Sequence, residues 1–303
     1  MQFGLVLPHF RHVASPEFLR RFARRAEELG YDSLWATDHL VIPEAAVPRF
    51  GATFYEPLTT LAYVAAETQR IRLGTSALIL PYRNPVHQAK VLATLDVLSG
   101  GRTVFAVAVG WAKDEMDALG VPFERRGALA TEYLRLFREL WRNPRPVFHG
   151  RTVHVEGVAF QPQPAQDPLP LWGAGNSASA IRRAARFCQG WHPTRPTPEQ
   201  VQEGRAYLRH EAARYGRDPD EFVIAARLPL RLLDRPAADA APLVGTPDQV
   251  VESLQRYRAA GVTHVVLDTF YSAPALHDQT PDDVLRTAER FAAEIRPRLA
   301  DGG

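Results

Sequence analysis

Eight short apolar runs alternate along the chain with stretches of helical periodicity, and this alternation restricts the fold more than any other feature. The runs are Phe3 to Leu7, Ser33 to Thr37, Ile71 to Leu80, Thr103 to Val109, Leu169 to Trp172, Gly190 to His192, Phe222 to Leu233 and Val262 to Thr269. Runs rich in Val, Leu and Ile suit parallel strands buried on both faces, and parallel strands need crossovers that are usually helical. Helix starts are marked by a hydroxyl cap ahead of a first-position proline: Ser15-Pro16, Thr197-Pro198, Thr246-Pro247 and Thr280-Pro281. Gln200 and Gln249 stand where a capping box needs them. Gly30, after Leu29, predicts a left-handed helix terminus. Eight strand–helix units in 303 residues predict an α/β fold, a single (β/α)8 barrel over residues 1–303, better than an open doubly wound sheet. Proline-rich Asn143 to Pro170, between the fourth helix and the fifth strand, reads as an excursion with a small hairpin near Thr152 to Val155. Val41 to Phe54, with Pro43, Pro48 and Gly51, reads as a long mobile loop and a candidate lid.

Composition narrows the function. A net charge of +2 gives no charge-based case for a nucleic-acid partner. The one cysteine, Cys188, excludes an internal disulfide and a cysteine-based zinc site. His9 and His12 straddle a strand end, and no paired-histidine metal spacing occurs, so no metal site is expected. The start, MQFGLVLPHF, has no charged lead or small-residue cleavage site, and no apolar run is long enough to span a bilayer. The expectation is a cytoplasmic protein with no membrane partner. There is neither a phosphate-loop lysine motif nor a dinucleotide glycine fingerprint after a strand.

In a barrel of this kind the chemistry sits where the strands end. His9 and Phe10 follow the first strand, and Asp38 and His39 the second. Ser76 and Ala77 lie within the third, and Gly110 and Trp111 follow the fourth. Gly173 to Ser177 follow the fifth, His192 and Thr194 the sixth, and Asp268, Phe270 and Tyr271 the eighth. Aromatic, small and a few polar residues suit a flat, partly apolar ligand better than a metal. Adjacent Asp38 and His39 allow one side chain to shape the loop while the other faces the mouth. The loop Gly173-Ala-Gly-Asn-Ser177 precedes a helix with no acid in its first turn, whereas other helices open with Glu17, Glu199, Asp248 or Asp282. Glycines permit close backbone approach and free amides can hold an anion, so a phosphate site is plausible there. A serine-capped helix behind a tight turn is the simpler reading of the same residues.

The stretches AEELGYDSLWATDHL, IRLGTSALILPYRNP, VGWAKDEMDALGVPFERRG, PLWGAGNSASAIRRAARFCQGWHP and VGTPDQVVESLQRYRAAGVTH cover most of the chain in order. Together they resemble the luciferase-like monooxygenase superfamily, and within it the branch that uses coenzyme F420. The resemblance implies a barrel holding a deazaflavin, or FMN as the alternative, in its mouth. It places Asp38 close to the ring and His39 over the reacting face as the acid–base residue. Ser76-Ala77 matches the place where relatives carry a non-proline cis peptide against the ring. Gly175, Asn176 and Ser177 match the cofactor phosphate loop, and Gly110 and Trp191 would line the same cavity. His9, Trp111 and Phe270 are the expected substrate pocket. Sugar-phosphate dehydrogenase relatives carry a glutamate where this chain has Trp111, which points instead to a bulky, apolar small-molecule substrate. A homodimer is the family expectation. The rival readings are an oxygen-using FMN monooxygenase and a non-catalytic flavin-binding barrel.

Overall fold

The computed structural model describes residues 1–237, 242–270 and 278–300. The strands, in chain order, are β1 (Gln2–Val6), β2 (Ser33–Ala36), β3 (Arg72–Ile79), β4 (Thr103–Ala108), β5 (Phe148–His149), β6 (His154–Val155), β7 (Leu171–Ala174), β8 (Gly190–His192), β9 (Val223–Pro229), β10 (Arg231–Leu232), β11 (Val244–Gly245) and β12 (His264–Asp268). The α-helices are α1 (Pro16–Glu28), α2 (Val47–Phe50), α3 (Pro57–Glu67), α4 (Pro85–Leu98), α5 (Lys113–Ala118), α6 (Arg126–Arg142), α7 (Ala178–Phe187), α8 (Pro198–Arg214), α9 (Pro247–Ala259), α10 (Pro281–Arg290) and α11 (Arg296–Ala300). Eight strands close in the order β1-β12-β9-β8-β7-β4-β3-β2, all parallel, so the expected (β/α)8 barrel is the fold. The excursion holds the small antiparallel hairpin β5–β6.

Local chemistry accounts for these elements. Ser15 caps α1, and Thr197, Thr246 and Thr280 each form a reciprocal capping box with the residue three positions on. Gly30 takes φ +73°, the left-handed turn that hands α1 to β2. Two expectations change. The seventh apolar run is not one strand: β9 stops at Pro229, and Arg231–Leu232 pairs separately with β11. The Val41 to Phe54 loop is not structureless, because Glu44–Ala46 forms a 3-10 turn that continues into α2.

The barrel interior is filled, which confines any ligand to its mouth. Trp35 of β2 lies across the axis, its ring 5.2 Å from Trp172 and stacked 5.5 Å from His192. Gly4 and Gly74 make room for it: a Cβ at Gly74 would fall 2.6 Å from the Trp35 ring. Below it His264 Nε2 lies 2.9 Å from Ser33 Oγ, which accepts the Trp35 indole N–H at 2.8 Å. Among the described residues no helix is long and apolar enough to cross a membrane.

Candidate active site

The chain that leaves β2 splits its two polar side chains between two tasks. Asp38 turns away from solvent, accepting the Ile79 backbone N–H at 2.8 Å and two Arg83 N–H bonds at 2.8 and 2.9 Å. Burial pushes the Asp38 carboxyl up, and Arg83 pulls against it. Arg83 also reaches Glu56, the cap of α3, at 2.6 Å. His39 faces a cavity of about 580 Å³ at the carboxyl ends of the strands.

His39 is held by a carboxylate 76 residues away. Glu115, in the first turn of α5, sits with Oε2 at 2.7 Å from His39 Nδ1 and accepts the Tyr82 hydroxyl at 2.8 Å. Its Oε1 accepts the Leu40 and Val41 backbone N–H groups at 2.6 and 3.2 Å. Glu115 is buried, 1% exposed. Burial acts to raise its pKa, but the bonds from His39, Leu40 and Tyr82 outweigh it and hold the carboxyl below its ordinary range. An ionised carboxylate only accepts, so Nδ1 of His39 carries the proton and Nε2 is the atom left for the cavity. Burial, with Glu115 beside it, pushes the Tyr82 phenol up, so it stays a donor. Phe50, Phe54 and Trp111 surround the His39 ring with centroids 5.0, 5.2 and 5.8 Å away.

Below His39, β3 carries a register shift between Thr75 and Leu78 and a cis Ser76–Ala77 peptide. Ser76 is fixed from both sides. Its Oγ lies 2.8 Å from His192 Nε2, and its carbonyl accepts Arg227 Nη1 at 2.8 Å. Arg227 is anchored by buried Asp268, with Nε at 3.1 Å. Burial and then Arg227 lower His192 to about 3, so its ring is neutral.

The other side of the cavity is cationic. Ser177 caps α7, whose first turn holds no acid, and Gly175 turns the loop at φ +118°. Arg126 and Arg183 line the cavity beside Ser177 and Ser179. Arg126 donates Nη1 to the Phe123 carbonyl at 2.9 Å, while its buried Nε has no partner. Burial lowers the Arg183 pKa and the nearby Arg126 adds to that. Two cations packed this closely, with a donor still unmet, match an anionic group on a ligand.

Four expected site residues stand elsewhere. Trp191 does not line the cavity. Side chains alternate along β8, and His192 takes the inward position, so Trp191 packs outward on Gly204, where a Cβ would lie 2.1 Å from its ring. It supports the loop from behind by donating Nε1 to the Gly175 carbonyl at 2.8 Å. The Asn176 amide is used up in two bonds to the Thr194 backbone, at 2.9 and 3.0 Å, and ties two loops together outside the cavity. His9 is buried, with Nδ1 at 2.9 Å from the Leu7 carbonyl and Nε2 at 3.0 Å from that of Thr37. Phe270 packs on Phe10 at 4.9 Å behind the cavity wall. Tyr271 lies outside the described residues. His39, Asp38, Ser76, Ala77, Gly110, Trp111, Gly175 and Ser177 all line the one cavity. Among the described residues no group of three or more His, Cys, Asp or Glu could hold a metal ion.

Residues 1–238 match the family described as luciferase-like monooxygenase. The chain belongs to that family. As a luciferase-like protein it is an oxidoreductase of the flavin-dependent type. An uncharacterized Mycobacterium tuberculosis protein is 30% identical over 308 residues, covering 97% of this chain and 99% of that one. The F420-dependent glucose-6-phosphate dehydrogenase of Amycolatopsis mediterranei is 27% identical over 333 residues, covering 94% and 95%. The crystal structure of the monooxygenase RslO1 from Streptomyces bottropensis superposes with a TM-score of 0.82 at 23% identity, covering 98% and 99%. In this luciferase-like barrel the site also gathers residues that its sequence did not single out: Glu115, Tyr82, Arg83, Arg126, Arg183, Arg227 and the packing role of His192. Glu115 reads in sequence as one more acid complementing a helix start, and only its burial sets it apart.

Proposed function

We propose that this chain is a coenzyme F420-dependent oxidoreductase in which His39 manages the proton that accompanies hydride transfer. The carrying observation is the Tyr82–Glu115–His39 arrangement, which leaves Nε2 facing a cavity whose far side is an arginine-lined, acid-free helix start. The donor set fits a phosphate-bearing flavin-type group: Arg126 has an unmet buried donor, and Ser177 and Ser179 add hydroxyls. When bound, a deazaflavin gives or takes a hydride at its C5. The protein does the rest: Arg126, Arg183 and the α7 start hold the anionic end, and Phe50, Phe54 and Trp111 exclude water around the imidazole. Glu115 offsets the positive charge that His39 gains whenever Nε2 takes up a proton. Trp111 occupies the place of the proton-donating glutamate of sugar-phosphate relatives, so a sugar phosphate is not the proposed substrate.

Titration of the protein with coenzyme F420 and with FMN, followed by fluorescence quenching, tests the reading. F420 binds more tightly, and Arg126→Ala or Arg183→Ala each weakens it by about tenfold or more, as expected for a charge-assisted contact. Tighter binding of FMN would move the protein to the oxygen-using branch. Glu115→Gln keeps the shape but removes the charge, and it lowers turnover roughly 10–100-fold, the usual cost of losing an orienting partner. The ¹⁵N shifts of the His39 ring then report a mixture of tautomers. An unchanged Nδ1–H tautomer together with unchanged turnover would show that Glu115 only packs.

A further inference from the structure

Among the described residues the cavity has one acidic lining residue, Asp38, and five arginines, Arg49, Arg126, Arg183, Arg195 and Arg227. Asp38 is already bound by Arg83, which does not line the cavity, and Arg227 is bound by Asp268. Arg126 and Arg183 stand at the cofactor's proposed anionic end. Arg49 belongs to a different group. It sits on the short helix α2 with its guanidinium 5.1 Å from the Phe50 ring centre, and no carboxylate lies within ion-pair distance of it among the described residues. Phe50 stacks on Trp111 at 5.6 Å and 25°, and both rings pack on His39. Trp111 is 56% exposed at the cavity lip, an unusual state for the largest apolar side chain. Phe50 itself is buried, so the open aromatic face is that of Trp111, which shares the cavity with the Arg49 cation and stands beside the His39 imidazole.

We propose that the substrate is a planar aromatic or conjugated acid, its ring system lying on the exposed face of Trp111 and its carboxylate meeting Arg49. This rests on the oxidoreductase reading above, because it takes the cationic α7 end for the cofactor and the aromatic end for the substrate. Ring stacking favours a planar skeleton over a puckered one of equal size. The guanidinium favours an acid over its neutral amide, since a fork of N–H donors matches a carboxylate.

The test is calorimetric binding of 2-naphthoate, 2-naphthamide and decalin-2-carboxylate to the whole protein, alone and loaded with coenzyme F420. Naphthoate binds about tenfold tighter than naphthamide, a charge-assisted preference. It also binds more tightly than the decalin acid. Arg49→Ala abolishes the acid-over-amide preference and leaves the naphthamide affinity in place, whereas Trp111→Ala weakens both aromatic ligands. Equal affinity for acid and amide, a preference that survives Arg49→Ala, or no binding of any of the three overturns the inference. Cofactor binding is read separately: failure to bind F420 with the naphthoate preference intact removes the cofactor reading alone, and the reverse removes the substrate class alone.

Discussion

Replacing His39 with alanine lowers turnover by roughly 10²–10⁴, the range for a positioned acid–base group, and leaves cofactor affinity within a few-fold of the parent. The separation follows from where the parts come from. The imidazole is carried by the turn after β2 and oriented by α5, while the anion-facing donors come from α6 and α7. Single-turnover oxidation of the reduced cofactor by an active substrate gives the rate, and fluorescence quenching gives the affinity. Tyr82→Phe makes the useful comparison, because it removes one of the four donors on Glu115 and keeps the His39 bond. Its effect is smaller than that of Glu115→Gln. Unchanged turnover in His39→Ala would remove the residue from the chemistry and with it the reading of the dyad.

Mild acid should destabilise the protein, and three histidines outside the His39–Glu115 pair are the reason. Burial, the leading cause at each, lowers His9 to about 4 and His192 and His264 to about 3. In the unfolded chain each titrates near 6.5. A folded pKa below the unfolded one means that the unfolded chain binds protons the folded one refuses. Stability is therefore complete above pH 6.5 and is lost as pH falls from there toward the folded values. At pH 5 each histidine has removed about 2 kcal/mol, roughly 6 kcal/mol together, against a usual total of about 5–15 kcal/mol. Urea midpoints measured at pH 7.5, 6 and 5 should fall steeply. His264→Gln should flatten the slope by about one proton, whatever it does to stability at neutral pH. A midpoint that does not move between pH 7 and 5 would show that these rings are not held neutral.

What could be read in the chain was what repeats or stays local. Eight apolar runs, the hydroxyl–proline helix starts and the Gly30 turn each act within a few residues, and each appears in the fold, save that the seventh run breaks after Pro229. His39 was legible because strand ends in a barrel converge on one mouth. Its partner was not, since Glu115 is brought to it by the path of α5 and nothing in the intervening residues encodes a 2.7 Å contact. Trp191 shows the opposite failure. In a three-residue strand the inward position is decided by neighbours, here the Trp35 ring and Ser76, which take His192 and turn Trp191 out. The arginines escaped notice for a simpler reason: in a chain whose positive charge is almost all arginine, the few that line the cavity look like the many that face solvent.

Glu115 holds more than the imidazole. The same carboxylate group grips the backbone of Leu40 and Val41, the first residues of the segment that carries Phe50 and Arg49 over the cavity. Lifting the stem of that segment strips two donors from the carboxylate and loosens its hold on His39 at the same time. One carboxylate thus ties the position of the His39 ring to that of the segment covering it, so that a shift in either is felt by both.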